Sequence, residues 1–134
     1  MSYQRHARSI LCSVGLVLVL GAVALRAQSQ GLVSGPSKIE TLFVLDLGDV
    51  GQPITTTYRV TIPPGIMTAD HTHTGRTSTF VMLEGALTEV RGEVKHEYKT
   101  GDVVAVAEGV THHAENFGTV PAVYIEVSTT TKKK

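Results

Sequence analysis

Short runs rich in Val and Thr, each ended by turn residues, follow one another from residue 39 to residue 128 of this chain. Glycine or proline occurs in every break between the runs, and nothing reads convincingly as a helix of ten or more residues. Such a series of short strands predicts an all-β sandwich or barrel. The nine predicted strands are Ile39–Asp46, Ile54–Ile62, Ala69–Thr74, Thr77–Leu83, Ala86–Arg91, Val94–Tyr98, Val103–Ala107, Thr111–Asn116 and Ala122–Ser128.

An apolar run of seventeen residues without a charge, Ser9–Leu25, stands between Arg8 and small residues that end at Ala27. A basic start, a short apolar run and small residues are typical of a secretory signal peptide, here over residues 1–27. The run is also near the lower limit for crossing a bilayer, so an uncleaved membrane anchor is the alternative. Both interpretations place the domain outside the cytoplasm, in the periplasm or secreted. The only cysteine of the sequence, Cys12, lies in the apolar run.

The remaining chain is predicted to be one domain with short flanks. Gln28–Ser37 is rich in Gln, Ser and Gly and predicts a flexible lead-in. The domain is expected over residues 38–128, and the sequence TTTKKK of Thr129–Lys134 predicts a solvated tail. Without residues 1–27 the chain keeps nine basic and twelve acidic residues. This balance gives no indication of a nucleic-acid-binding surface.

Histidines are concentrated in two stretches, Gly65–Gly85 and Gly101–Asn116, which hold four of the five histidines that follow the N-terminal segment. In the first stretch, His71 and His73 are separated by one residue. Side chains at i and i+2 of a strand point to the same face, so both imidazoles can reach one point, as a metal site requires.

The spacing in these two stretches resembles the two sequence motifs of the cupin family. The first motif is Gly, five residues, His-x-His, three or four residues, Glu, six residues, Gly. The second is Gly, five residues, Pro-x-Gly, two residues, His, three residues, Asn. Eight of the ten key positions agree, and they are Gly65, His71, His73, Gly85, Gly101, Gly109, His112 and Asn116. Ala107 stands in place of the usual Pro, and Ser78 in place of the Glu.

The resemblance implies the cupin double-stranded β-helix, a jelly-roll barrel. It also implies that His71, His73 and His112 point into the barrel and bind one divalent metal ion. Neutral imidazole suits Fe, Zn, Cu and Ni. Fe(II) is the favoured ion because cupin dioxygenases use it, with Mn, Ni, Zn and Cu as alternatives.

Ser78 removes the carboxylate that the family's first motif usually supplies. Strand parity places Ser78, Phe80 and Met82 on one face, so the hydroxyl should still point inward. If the metal is retained, three neutral ligands leave a site of charge about +2, which favours an anionic small molecule. Ser78 would then orient a metal-bound water or the substrate. If the metal is lost, the chain is a degenerate cupin with a polar pocket.

Several neighbouring residues have weaker claims to a role. His113 should face away from the ligands and lie at the surface. Glu115 has the same parity, which argues against it as a replacement for the lost carboxylate, and His96 lies outside both motifs and is expected at the surface. Arg76 could meet an anionic substrate at the barrel mouth, although an exposed arginine is more often only solvated. Asn116 and Asp102 are expected in turns. Phe80 and Met82 either line the pocket or fill the core.

Three functions remain open on this evidence. The first is a dioxygenase-like oxidoreductase, with a metal-dependent isomerase or lyase as its variant. The second is a module that binds or senses a small extracytoplasmic ligand without turnover. The third is a purely structural or storage role, which leaves three converging histidines without a purpose. Many cupins form homodimers through their sheets, so a second copy is a further candidate partner.

Overall fold

The strands of this chain form two sheets that share one hydrophobic core. The computed structural model describes residues 31–49 and 51–131, and within them all regular structure is β-strand. The predicted signal peptide lies outside the described residues. The part of the chain that the structure describes contains no helix long and apolar enough to cross a membrane.

Eleven strands occur among the described residues, where nine were predicted. They are β1 (Val33–Ser34), β2 (Lys38–Asp46), β3 (Pro53–Ile62), β4 (Ile66–Met67), β5 (His71–Thr72), β6 (Arg76–Glu84), β7 (Ala86–Arg91), β8 (Val94–Lys99), β9 (Val103–Val106), β10 (Thr111–Glu115) and β11 (Ala122–Thr131). β1 falls inside the expected lead-in, and β11 extends to Thr131, into the expected tail. The all-β prediction is confirmed.

One predicted strand is wrong in its extent. The stretch from Ala69 to Thr74 contains only the two-residue β5, because the backbone turns after Thr72. The N–H of Thr74 donates to the carbonyl of Thr72 at 3.0 Å, and Gly75 then takes a positive φ of 72° that β6 follows. Alternation along a continuous strand therefore does not set the directions of the two histidine side chains here.

The two sheets have the strand orders β2-β3-β11-β6-β9 and β1-β4-β10-β7-β8, and β5 pairs with β10 in the second sheet. All pairs are antiparallel except β1 with β4. Sequence neighbours such as β6 and β7 therefore lie in different sheets, as in a jelly roll. This crossing brings β10 and β7 of one sheet opposite β6 and β11 of the other.

The core lies between the sheets and takes side chains from both. Its buried members are Val60, Ile62, Phe80, Met82, Leu87, Val104, Val106, Ala114 and Ala122. On β6 the pattern is strict, because Ser78, Phe80 and Met82 are buried while Thr77, Thr79 and Val81 are exposed. The predicted inward face of this strand is therefore confirmed, and Ser78 belongs to it.

Asn116 fastens the end of β10 to the rest of the fold. Its amide Nδ2 donates to the carbonyls of Ile62 at 2.9 Å and Val120 at 3.0 Å, while its Oδ1 accepts from the N–H of Gly118. The side chain is fully buried and every one of these bonds is to backbone. This confirms that the asparagine of the second motif holds a turn.

Candidate metal centre

Three histidine side chains meet at the cavity between the two sheets, where His73 and His112 are buried and His71 is exposed. β5 pairs with β10 so that His71 and His112 are direct Cα partners, and His73 follows β5 by one residue. The candidate ligand atoms of these three residues all lie within 4.8 Å of one another. Nε2 of His73 and Nε2 of His112 are 3.2 Å apart, which is compatible with two bonds of about 2.1 Å to one ion.

The protein fixes the ring tautomer of two of these histidines. Nδ1 of His71 lies 3.1 Å from the carbonyl oxygen of Ala69, and Nδ1 of His112 lies 2.6 Å from Oε1 of Glu89. A carbonyl and a carboxylate can only accept, so Nδ1 is the donor in both rings. Each neutral ring then keeps a lone pair on Nε2, which is the atom that a metal ion requires.

Glu89, on β7, is the buried partner of His112 and is 1% exposed. Its other oxygen, Oε2, accepts from Nη2 of Arg91 at 2.8 Å and from the hydroxyl of Tyr98 at 3.2 Å. Burial raises the pKa of this carboxyl, but the hydrogen bonds from His112 and Arg91 outweigh it and lower the pKa to about 2. Glu89 is therefore a carboxylate at any ordinary pH.

His73 is the most deeply placed of the three rings and is 2% exposed. Burial, and next the charge of Arg76, lower its pKa from 6.5 to about 4. The ring is therefore neutral at pH 7, as ligation requires. Within the described residues, Nδ1 of His73 has no hydrogen-bond partner. Its Nε2 lies 3.2 Å from Nε2 of His112, which can only accept, so Nε2 of His73 is the donor when no metal ion is bound and must lose that proton for ligation.

The donor set fits a divalent transition metal. Three imidazoles, two of them with Nδ1–H held by acceptors, are suitable ligands for Fe, Zn, Ni and Cu. Among the residues that the structure describes, no carboxylate joins this group, since only the three histidines place their ligand atoms within 4.8 Å of one another. The centre is compatible with metal binding through three neutral ligands.

Ser78 faces a second acid in the same interior. Its hydroxyl donates to Oε1 of Glu126, on β11, at 2.7 Å. Arg76 lies beside them, with Nη1 at 3.6 Å from Oε1 of Glu126 and 3.3 Å from Oγ of Ser128. The position that lacks the family's glutamate is thus hydrogen-bonded to a glutamate from the neighbouring strand. The role of Ser78 in orienting a water or substrate stays a prediction.

A cavity of about 340 Å³ contains these groups. Its polar end is formed by the three histidines with Arg76, Glu89 and Glu126. The remaining wall is largely apolar and aromatic, and it includes Ile39, Tyr58, Val60, Phe80, Leu87, Val106 and Tyr124. A cavity with a mainly apolar wall and a few convergent polar groups is typical of a small-molecule site. Phe80 lines it, whereas Met82 packs in the core.

The outer face of β10 holds the residues that were predicted to point away. Nδ1 of His113 lies 2.7 Å from Oδ1 of Asp70, and Oε2 of Glu115 lies 2.9 Å from Nζ of Lys95. Neither side chain lines the cavity, which confirms the parity argument, although both are more buried than surface residues usually are. His96 is exposed, and Asp102 accepts from the backbone of Lys99 in a turn, both as expected.

Sequence reasoning missed Glu89 and Glu126. Each occupies an inward position of a predicted strand, with Leu87 two residues before the first and Tyr124 two before the second. A charged residue among inward apolar positions was therefore the available signal. Arg76 was predicted near the barrel mouth, and the structure places it at the first position of β6, facing Glu126 inside the cavity.

Comparison with known proteins agrees with this architecture. The model of the cupin domain family matches residues 58–128, more than half of the chain. No curated protein matches it significantly.

Solved structures give the same fold. A Cupin 2 conserved barrel domain protein from Salinispora arenicola superposes with a TM-score of 0.57 and 18% identity, over 69% of this chain and 74% of that chain. The cupin domain of Schizosaccharomyces pombe Cnp3 superposes with a TM-score of 0.59 and 19% identity, over 72% of this chain and 65% of that chain. A cupin domain from Bordetella pertussis superposes with a TM-score of 0.55 and 20% identity, over 72% of this chain and 96% of that chain. At these identities the likeness shows the fold alone, and the family match shows that the chain belongs to the cupin family.

Proposed function

We propose that this cupin binds a divalent metal ion through His71, His73 and His112 and acts on a small molecule as a dioxygenase-like oxidoreductase. The observation that supports this most directly is the convergence of three ring nitrogens at the polar end of a cavity. Two of the rings are held by acceptors on Nδ1, so that Nε2 remains available. A structural role alone gives no reason for three imidazoles at one point.

Fe(II) is the favoured ion, and it would supply redox chemistry with O₂. Mn, Ni and Cu can also change oxidation state, whereas Zn would supply Lewis-acid chemistry alone. The chain's own residues hold and polarise the site. Glu89 fixes the ring of His112 and increases its basicity, and the apolar wall limits water. Arg76 provides a positive charge inside the cavity, which supports an anionic substrate even though Glu126 partly compensates it.

The proposed location is outside the cytoplasm, in the periplasm or secreted. It rests on the basic start, the apolar run and the small residues of segment 1–27. The domain that follows has no cysteine, so it can fold in an oxidising compartment without forming a disulfide. Detection of a mature N-terminus near residue 28 in an extracytoplasmic fraction tests this, and the full-length chain in the cytoplasm contradicts it.

Elemental analysis of the purified protein tests the metal centre. Wild type should contain about one transition-metal ion per chain, and His112→Ala should contain almost none. His113→Ala is the matched control, because its ring lies one residue away on the outer face. Wild type without metal, or full retention in His112→Ala, overturns the proposal. With metal bound, oxygen consumption in the presence of candidate substrates separates a dioxygenase from an isomerase or lyase.

A binding or sensing module is the second candidate, because the metal centre lacks a carboxylate ligand within the described residues. This function predicts the same metal content and the same cavity. It differs in that a bound small molecule should be recovered unchanged after incubation, whatever the metal. Conversion of any bound ligand contradicts it.

A further inference from the structure

Glu126 places a carboxylate inside the cavity that the proposed metal centre does not use. The residue lies in the middle of β11, paired with Phe80 on β6 and Tyr58 on β3. Its side chain is only 14% exposed, and it lines the same cavity as the three histidines. Because the charge of Glu126 acts on the pKa of His73, the two groups are electrostatic neighbours.

The two oxygens of this carboxylate differ in their contacts. Oε1 accepts from the Ser78 hydroxyl at 2.7 Å and faces Nη1 of Arg76 at 3.6 Å. Oε2 makes no hydrogen bond to any group in residues 31–49 or 51–131. Oε2 is not among the fully buried polar atoms that lack a partner, so it remains accessible as an acceptor from the cavity. A ligand that brings a hydrogen-bond donor into the cavity can therefore donate to Oε2 in place of water.

The groups around Glu126 make it an acceptor rather than a fourth metal ligand. Ser78 and Arg76 on β6 bind its Oε1 side, and the rings of Tyr58 and Tyr124 from β3 and β11 also line the cavity. Glu126 partly compensates the charge of Arg76, and the positive charge of a bound metal ion would add to what remains and attract an anion. An acceptor close to that charge suits a ligand that has both an anionic oxygen and a hydroxyl.

We propose that Glu126 determines ligand specificity by accepting, at Oε2, a hydrogen bond from a hydroxyl next to the oxygen that binds the metal ion. The ligand class is therefore small 2-hydroxy acids, hydroxyketones and catechols, with an apolar or aromatic remainder against Phe80 and Tyr58. Ser78 is a positioning residue, because it holds Oε1 and so directs Oε2. This inference rests on the proposed metal centre and extends it to the substrate.

A matched pair of ligands tests the assignment on the zinc-loaded protein. Mandelate and phenylacetate differ by one hydroxyl and have the same carboxylate and aromatic ring. Calorimetric titration of wild type should show at least tenfold tighter binding of mandelate. In Glu126→Gln the ratio of the two affinities should fall about tenfold, because a hydrogen bond to a charged group is lost. The ratio is the measure, since loss of a negative charge strengthens the binding of both anions alike.

Control variants separate this effect from general damage. Glu84→Gln removes an exposed carboxylate at the end of β6, the strand that also carries Ser78, and should leave the ratio of the two affinities unchanged. Ser78→Ala should lower the ratio, and Ser78→Thr, which keeps the hydroxyl, should restore it. Circular dichroism and zinc content establish that each variant is folded and loaded. If Glu126→Gln does not fold, the Ser78 pair alone carries the test.

The outcomes distinguish this inference from the metal proposal. If wild type binds no zinc, the metal centre is wrong and the ligand assignment falls with it. If zinc binds but the affinity ratio is the same in wild type, Glu126→Gln and Ser78→Ala, the role of Glu126 is wrong and the metal centre stands. If zinc-loaded wild type binds neither acid, the assigned ligand class is wrong.

Discussion

Nδ1 of His112 donates a 2.6 Å hydrogen bond to Oε1 of Glu89, which joins a candidate metal ligand to an almost completely buried carboxylate. The bond crosses from β10 to β7, neighbouring strands of one sheet. The carboxylate is held on its other side by Arg91 and Tyr98, so it cannot turn away from the histidine. The ring of His112 is therefore fixed in both tautomer and direction before any metal binds.

Glu89→Gln should weaken metal binding without removing a ligand. The neutral amide polarises the His112 ring less and no longer pairs with Arg91, so we expect metal affinity to fall by about 10- to 100-fold. Competition with a chromophoric chelator measures the change. Glu93→Gln, in the exposed turn between β7 and β8, is the control. Equal affinities in wild type and Glu89→Gln would show that this buried carboxylate does not act on the metal centre.

Acid should destabilise the metal-free protein partly through Glu89. Its folded-state pKa of about 2 is below the ordinary value of 4.5, so its stabilising contribution is complete above pH 4.5 and is lost as the pH falls towards 2. The shift corresponds to about 3 kcal/mol. Urea unfolding with chelator present should therefore show a deficit for Glu89→Gln that is largest near pH 7 and shrinks below pH 4.5. A deficit that does not change with pH would contradict this.

The fold and the three histidines could be predicted because they depend on local patterns. Alternation, turn residues and motif spacing are all properties of neighbouring residues, and they located all nine expected strands to within three residues at either end. Ala69–Thr74 was nevertheless predicted three times too long, because a turn at Thr74 interrupts the alternation.

The two carboxylates could not be assigned in the same way. Glu89 reaches His112 only because β7 pairs with β10, and Glu126 reaches Ser78 only because β11 pairs with β6. These pairings join residues 23 and 48 positions apart in the chain. Strand order decides which inward side chains meet, and the local patterns of a single sequence do not reveal strand order.

Gly85, the last glycine of the first motif, should not tolerate a side chain. It has a positive φ of 71°, and a Cβ there would lie 2.5 Å from the carbonyl oxygen of Pro121, which is backbone and cannot move aside easily. Gly92 also has a positive φ, of 60°, but nothing lies within 4 Å of its Cβ position. Gly92→Ala should therefore cost about 1 kcal/mol, from backbone strain alone. Gly85→Ala should cost at least about 2 kcal/mol more.

Chemical denaturation of the two alanine variants measures this difference. The comparison isolates the contact with Pro121, because both variants have the unfavourable φ and only Gly85→Ala has the clash. Equal losses of stability would mean that the chain next to Pro121 shifts to make room.

A homodimer stays a prediction, and the strand β2 is the surface that suits it. It is the edge of its sheet, and beyond β3 no strand among the described residues pairs with it. Large apolar side chains are nevertheless exposed along it, and they are Ile39, Leu42, Phe43, Val44 and Leu45. An open edge with exposed apolar side chains favours pairing with another strand.

The sequence of β2 suits pairing with a second copy of itself. Antiparallel alignment centred on Leu42 would bring Lys38 of one copy opposite Asp46 of the other. Five of the seven residues between these two positions are apolar, and the other two are Glu40 and Thr41. We expect the protein to sediment as a dimer and Phe43→Lys to lower its association constant by at least tenfold. Val103→Lys is the control, because Val103 is also exposed, 66% against 58% for Phe43, but lies on β9 at the opposite edge of the same sheet. Analytical ultracentrifugation over a concentration series measures the association constant. A monomeric wild type, or an equal loss of association in Phe43→Lys and Val103→Lys, would rule out β2 as the interface.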